Sequence, residues 1–358
     1  MKLAFYAPLK APDHPVPSGD RAMARGVIAA LKGVGADVTL ASGLRSRDGG
    51  GDADHQAVLK GKAEIEVARL IPEGQHAGWQ AWITYHNYYK APDLIGPQVA
   101  AALKIPYLLV EATRARSRLA GDWAHFAAAA ETASDAADVI FYLTDRDAET
   151  LRRDAPDGQA LLHLRPFLVR VDLPPASALT GPMLAVGMMR EADKLPSYRI
   201  IAETLALLPA GSWQLCIAGD GPVRDEVEAL MAPFGDAVRF LGALDSDAMT
   251  TAYESAALLF WPGVNEAFGL VYLEAQAAGV PVVAQDRPGV RDVLCPGNYP
   301  APDAGCGPLA ARLNTLLTEP QTRACAGDAA RRYVADHHLL PAASATLAKG
   351  LALCGVSA

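Results

Sequence analysis

This chain is poor in several features, and each shortage narrows what it can be. Its five cysteines, Cys216, Cys295, Cys306, Cys325 and Cys354, form no C-x-x-C pair. That argues against a disulfide framework and a cysteine zinc site, and the thiols read as reduced, mostly core side chains of a cytoplasmic protein. Long apolar runs are missing. The longest uncharged ones, such as 256–264, fall far short of the roughly 20 residues of a membrane span. The opening Lys2 is followed by an apolar run that Pro8 breaks, which is not a signal-peptide pattern. A cytoplasmic location is expected, with the inner membrane face left open. There is no basic excess: 32 Lys and Arg against 40 Asp and Glu leave a net charge of -8, so nucleic acid is not an expected partner. The dinucleotide fingerprint G-x-G-x-x-G is also absent.

What is present is an ordinary globular balance, 51% apolar and 20% charged, over 358 residues, which is long for one core. Short apolar runs alternate with amphipathic segments from end to end, as in an α/β protein with parallel sheets. In the first half strands are expected at 2–7, 37–41, 79–85, 106–110, 139–143 and 161–164. Helices are expected at 21–32, 60–71, 96–103, 126–137 and 145–153, with a polar loop over 43–54. In the second half the expected strands are 183–187, 213–218, 238–241, 256–260 and 280–284. Helices follow at 198–208, 223–231, 247–255, 270–278, 289–294, 309–335 and 339–353. The Pro-, Ala- and Ser-rich stretch 172–182 reads as a linker. It divides the chain into a domain over 1–172 and one over 173–338, with the last helix, about 339–358, able to pack back onto the first.

In open α/β sheets ligands collect at the carboxyl ends of strands. His86 and Glu111 fall there, each with a structural role as the plain alternative. Gly19, after the first strand, lets a backbone approach a phosphate or is simply a loop glycine. Arg114, Arg116 and Arg118 offer an anion site or a solvated helix face. The most informative stretch is 262–274, PGVNEAFGLVYLE. Glu266 and Glu274 flank the turn Ala267-Phe268-Gly269, between a buried strand and a helix beginning near Leu270. Strand, glycine turn and helix aim backbone N–H groups and a positive helix end at an anion. The two carboxylates, pure acceptors, suit hydroxyl groups. Phosphate beside hydroxyls indicates a sugar nucleotide. Asp245-Ser246-Asp247 imitates a metal-binding D-x-D, but its place before a helix favours a cap.

Around this stretch lies an ordered set: Ala185-Val186-Gly187 leading to Lys194; 215–222, LCIAGDGP; Arg239-Phe240-Leu241-Gly242; Glu266 with Glu274 as E-x7-E; 278–283, AGVPVV; and 289–293, GVRDV. The set resembles the donor domain of retaining GT-B glycosyltransferases of the family-4 type, also called the glycosyltransferase group 1 family. The resemblance covers about 183–295. It implies a GT-B fold, two doubly wound Rossmann-like domains facing each other across a cleft. It also implies transfer of a sugar from a UDP- or GDP-sugar, with retention at the anomeric carbon, to a carbohydrate, lipid-linked or small-molecule acceptor. No cofactor or bound metal is implied.

By the same resemblance, Lys194 neutralises the leaving diphosphate and Glu266 faces the sugar; the family's Gly-Arg-Leu is Gly187-Met188-Met189 here, and Arg190 is the candidate to supply the missing cation. Glu274 holds the ribose, and Gly269 and Leu270 offer N–H groups. Gly187, Gly219, Gly221, Ala267 and Phe268 line the donor, and Leu241, Gly242 and Leu244 hold the base. The first half departs from the family. Gly19 with Asp20 stands for a double-glycine loop, and Glu111 occupies a usual histidine's place, with His86 on the neighbouring strand. Pro166-Phe167-Leu168 replaces an Asn-Gly pair. Two other readings stay open: a sugar-nucleotide epimerase of similar fold, and a non-catalytic sugar-nucleotide-binding subunit.

Overall fold

The computed structural model describes residues 1–15, 18–192 and 194–357. The chain divides into two compact units, Met1–Arg165 with Leu340–Ala358, and Pro166–Leu339.

The first unit runs β1 (Lys2–Tyr6), α1 (Gly19–Gly33), β2 (Asp37–Ser42), α2 (Ala53–Ala77), β3 (Ala81–Asn87), α3 (Gly96–Leu103), β4 (Tyr107–Ala112), α4 (Ala124–Ala136), β5 (Val139–Tyr142), α5 (Asp145–Asp154) and β6 (Ala160–His163). Its strands pair in parallel in the order β2-β1-β3-β4-β5-β6. Leu3 to Tyr6 are fully buried, as a central parallel strand covered on both faces requires. In α1, Ser18 caps the first turn by accepting from Arg21 N, and Met23, Val27, Ala30 and Leu31 face the sheet side.

The second unit contains β7 (Met183–Val186), α6 (Leu195–Leu205), β8 (Leu215–Ala218), α7 (Arg224–Met231), β9 (Val238–Gly242), α8 (Ser246–Ser255), β10 (Leu258–Phe260), α9 (Leu270–Ala277), β11 (Val282–Val283), α10 (Gly307–Thr318) and α11 (Pro320–His337). Its parallel sheet has the order β11-β10-β7-β8-β9. The last helix, α12 (Leu340–Leu353), returns to the first unit. There Ser344 Oγ donates to Ala30 O of α1 at 2.9 Å.

Several expected boundaries shift for identifiable reasons. The loop expected over 43–54 is shorter and the helix after it longer. Asp52 caps α2 by accepting from Asp54 N and His55 N, and Pro72 is carried inside the helix. The helical segment 309–335 is divided into two helices, because Pro320 starts a new one and Glu319 between them leaves the helical backbone, with φ of -115° and ψ of 87°. The helix expected at 198–208 begins three residues earlier, with Pro196 in its first turn. Residues 166–172 lie with the second unit. Leu168 N donates to His338 O at 2.8 Å, and His338 Nδ1 lies 2.6 Å from Pro166 O.

Gly350 of α12 sits where an added Cβ would come 2.2 Å from the ring of Phe141, a fully buried residue of β5. Gly350→Val should therefore cost about 1–3 kcal/mol of stability by overpacking. A chemical-denaturation midpoint unchanged from wild type would contradict this seating of α12.

Candidate functional site

In the second unit the loops after β7 and β10 meet in one ion pair. Lys194 is the N-cap residue of α6, and Glu266 follows β10 by six residues. Lys194 Nζ lies 2.5 Å from Glu266 Oε1, and both side chains are largely buried, at 14% and 12% exposed. The same oxygen accepts from Trp261 Nε1 at 2.8 Å. Burying two charges is costly unless they are paired and further hydrogen-bonded, and here they are both.

The surroundings hold this pair in place. Trp261 is fully buried and packs edge-on to Tyr198, whose hydroxyl donates to Gly187 O at 2.6 Å. Tyr272 Oη donates to Trp261 O at 3.1 Å. The turn carrying Glu266 is pinned to the start of α6: Val264 N donates to Ser197 Oγ at 3.0 Å and Asn265 Nδ2 to Ala192 O at 3.1 Å. Asn265 itself is left-handed, with φ of 56°.

Glycines let the loops touch. A Cβ on Gly219 would lie 1.9 Å from Gly187 O, and one on Gly221 2.4 Å from Met189 O, so only glycine admits the loop 187–190 against this turn. Gly219 N donates to Gly242 O at 2.8 Å, which joins the ends of β8 and β9. Gly269, with φ of 79°, precedes α9, and a Cβ built on it would lie 3.7 Å from the Glu266 carboxyl carbon. The carboxylate thus lies beside the helix start, where the N–H of Leu270 has no partner inside the helix. Ala267 is exposed and Phe268 half-buried in this turn. Arg190 is exposed, with no side-chain partner among the described residues.

Glu274, one turn into α9, accepts from Tyr253 Oη of α8 at 2.8 Å. Burial pushes its carboxyl above the usual range, and the Tyr253 hydroxyl pulls it back in part. Both residues line a cavity of about 650 Å³ together with Leu244 and Met249. Leu241 lines a different, smaller cavity, with Leu244 on the rim of both. Asp245 caps α8, its Oδ1 accepting from Ala248 N at 2.9 Å, as read from the sequence.

In the first unit, β1, β3 and β4 bring a second group together. His86 and Glu111 stand side by side, since Tyr85 pairs with Val110 and Asn87 with Ala112. Both are left-handed, with φ of 68° and 60°. Side chains rarely adopt this backbone, and it costs about 1–3 kcal/mol each, so its presence at adjacent strand ends singles this pair out as a candidate site. His86 Nδ1 lies 3.2 Å from Asp20 Oδ1 and 3.8 Å from Glu111 Oε2. Gly19 begins α1 just before Asp20, and open space surrounds it. Burial of the His86 ring favours its neutral form. The Glu111 charge, then the Asp20 hydrogen bond and charge, outweigh this, and its pKa is raised. Glu111 is raised chiefly by burial, whereas the bond to His86 holds Asp20 below the usual range.

Sequence reasoning missed Trp261 and Tyr253, which orient the two glutamates. Trp261 was legible only as the end of a buried run, and Tyr253 only as a core position of a helix.

Residues 197–333 match the sequence profile of the family described as Glycosyl transferases group 1. An exopolysaccharide phosphotransferase, SCO2592 of Streptomyces coelicolor, is 35% identical over 154 residues, covering 42% of this chain and 16% of that protein. D-inositol 3-phosphate glycosyltransferase 2 of Catenulispora acidiphila is 30% identical over 240 residues, 59% of this chain and 55% of that one. The chain thus spans well under two thirds of the curated relatives it matches. Among solved structures, Anabaena Alr3699/HepE in complex with UDP aligns with a TM-score of 0.73 at 16% identity, covering 98% of this chain and 100% of that one. The fold is GT-B, with two Rossmann-like parallel-sheet domains.

The two raised groups of the first unit act in one direction on stability. For His86, the contribution is fully present below about pH 6.5 and is lost as pH rises through the raised folded value. Glu111, raised above 4.5, likewise disfavours the folded state as it ionises with rising pH. Asp20, lowered, stabilises above its unfolded pKa of about 3.8 and loses this as pH falls. NMR titration should place the His86 midpoint above 6.5, and Glu111→Gln should move it down. A midpoint at or below 6.5 in wild type, or no movement in the variant, would contradict the assignment.

Proposed function

We propose that this chain is a glycosyltransferase that moves a sugar from a UDP- or GDP-sugar to a hydroxyl of an acceptor, with retention at the anomeric carbon. The observation that carries the reading is the Lys194–Glu266 pair set against the Gly269 turn at the start of α9. A group of this kind offers a cation, a hydroxyl acceptor and free helix N–H groups within one small volume. A nucleoside-diphosphate sugar presents the complementary set. The group 1 profile match over 197–333 and relatives that include D-inositol 3-phosphate glycosyltransferases support it.

In this scheme the diphosphate of the donor competes with Glu266 for the Lys194 ammonium. Lys194, joined by the exposed Arg190, stabilises the charge that builds on the departing phosphate. The N–H groups at Gly269 and Leu270 face the distal phosphate. Glu266, released from Lys194 but held by Trp261, accepts from a hydroxyl of the transferred sugar. Glu274, oriented by Tyr253, accepts from the ribose hydroxyls, with Leu244 beside the base. Gly187, Gly219 and Gly221 keep the facing backbones close. The acceptor hydroxyl attacks on the face the phosphate leaves, and that phosphate takes its proton. The two glutamates are assigned to hydroxyls, so the paired-carboxylate scheme of glycoside hydrolysis does not apply. His86 and Glu111 of the first unit are assigned to the acceptor, with Asp20 orienting the imidazole. No metal or cofactor enters the scheme.

A panel of UDP- and GDP-sugars tests the reading by calorimetry, donor hydrolysis and the anomeric configuration of the product. Binding without turnover, or interconversion of the sugar nucleotide without release of the diphosphate, would overturn transfer in favour of a binding subunit or an epimerase.

Two substitutions should behave differently. Glu274→Ala should weaken donor binding about tenfold or more, as hydrogen bonds to a charged group are worth about 1.5–3 kcal/mol. Unchanged affinity would remove Glu274 from the ribose. Lys194→Ala should lower turnover by about 10²–10³, the usual loss for one electrostatic stabiliser, with a smaller change in KM. Wild-type turnover would end that role.

A further inference from the structure

Three loops leave the carboxyl ends of β2, β3 and β4 in the first unit and meet beside His86. They are tied together by hydrogen bonds. Ser46 Oγ donates to Pro92 O at 2.7 Å and Asp48 N to Lys90 O at 2.8 Å. Gln56 Nε2 donates to both Asp48 Oδ2 at 2.8 Å and Asp122 O at 3.0 Å.

On this scaffold an aromatic and cationic cluster continues outward from His86, and beyond that histidine the scheme above does not use it. His86, Tyr88, Tyr89 and Trp123 follow one another ring to ring, with centroids 4.8, 5.7 and 5.8 Å apart. Lys90 Nζ lies 5.7 Å from the Tyr89 ring and 5.2 Å from that of Trp123. The Arg118 guanidinium lies 5.2 and 5.8 Å from the same two rings. From the loop after β2, Arg47 places its charge against the Tyr88 hydroxyl.

The charge here is not neutralised. Arg114 pairs with Glu131 and Asp135, and Arg116 with Asp154. Among the described residues no salt bridge reaches Arg47, Lys90 or Arg118. The Asp48 carboxylate is taken up by Gly50 N, Asp52 N and Gln56, and Asp122 is exposed. Rings that hold two cations restrict their stems and cover one side of each, leaving N–H donors for an anion. A guanidinium fork beside an ammonium suits a group with several oxygens and close to two charges, which a phosphate monoester carries and a carboxylate does not.

We propose that Lys90, Arg118 and Arg47 form a phosphate-ester subsite, which seats a phosphorylated acceptor with a neighbouring hydroxyl toward His86. The placement of the acceptor rests on the transferase reading; the anion site does not.

The test is calorimetry on the full chain with inorganic phosphate, glucose 6-phosphate and glucose, beside UDP and GDP as probes of the second unit. Wild type should bind phosphate and glucose 6-phosphate, and bind glucose at least about tenfold more weakly than its phosphate. Lys90→Gln with Arg118→Gln should erase that preference while leaving the thermal midpoint and nucleotide affinity unchanged. Vesicles containing phosphatidic acid, whose headgroup is a phosphate monoester, against phosphatidylcholine alone, form a second arm. Retention on the anionic vesicles that the double variant loses would assign the same site to a lipid headgroup. The proposal is overturned if neither soluble phosphates nor anionic vesicles bind, or if the double variant binds them as wild type does. Loss of UDP and GDP binding by wild type would count against the transferase reading alone, since the phosphate arm is read independently.

Discussion

The buried pair of Lys194 with Glu266 is the constraint on which the second unit's site depends. Neither charge is stable there alone, because desolvation in the interior costs several kcal/mol per ion. Their neutralisation, completed by the Trp261 indole, lets two charged groups stay largely buried side by side. Much of the surrounding sequence serves that end. Tyr198 and Tyr272 hold the indole, Ser197 and Asn265 hold the turn, and the glycines of 187–221 let the loops close on one another. The pair also links two distant parts of the chain, the start of α6 and the end of β10. A polyanion that draws Lys194 away therefore changes what Glu266 is free to do.

The first unit uses backbone strain where the second uses buried charge. His86 and Glu111 adopt the same left-handed turn at neighbouring strand ends, which places a basic and an acidic group beside Asp20. The sheet tolerates this because both strands are buried and paired on either side of the distortion. The aromatic and cationic cluster continues outward from the same strand ends. The first unit thus presents a graded surface, from a titratable group to a set of fixed cations.

Much of the fold was legible, and the reasons are local. Alternation of apolar runs and amphipathic segments marked most strands and helices, because parallel strands are buried on both faces. Boundaries slipped where a cap or a proline decided them, as at Asp52, Pro196 and Pro320. Among the site residues, Lys194, Glu266 and Gly269 were readable from an ordered motif and do come together. Trp261 and Tyr253 were not, since a buried aromatic at a strand end or on a helix looks like core. Their polar atoms become significant only when a carboxylate is found against them. The three arginines of 114–118 looked equivalent in sequence, yet one is buried in a double ion pair, one pairs with Asp154 and one lies over two rings.

The sequence by itself determined the class of fold, the two parallel sheets and the short-range geometry of the glycine turn before α9. These follow from periodicity and from the steric demands of single residues, which act over a few positions. Only the tertiary structure decided which charges meet. Lys194 and Glu266 lie 72 residues apart, and Asp20 and His86 66 apart. Contacts at such separations depend on strand order and register, which no local pattern records. The left-handed backbone at His86 and Glu111 is likewise set by the pairing of two strands rather than by either residue's own preference.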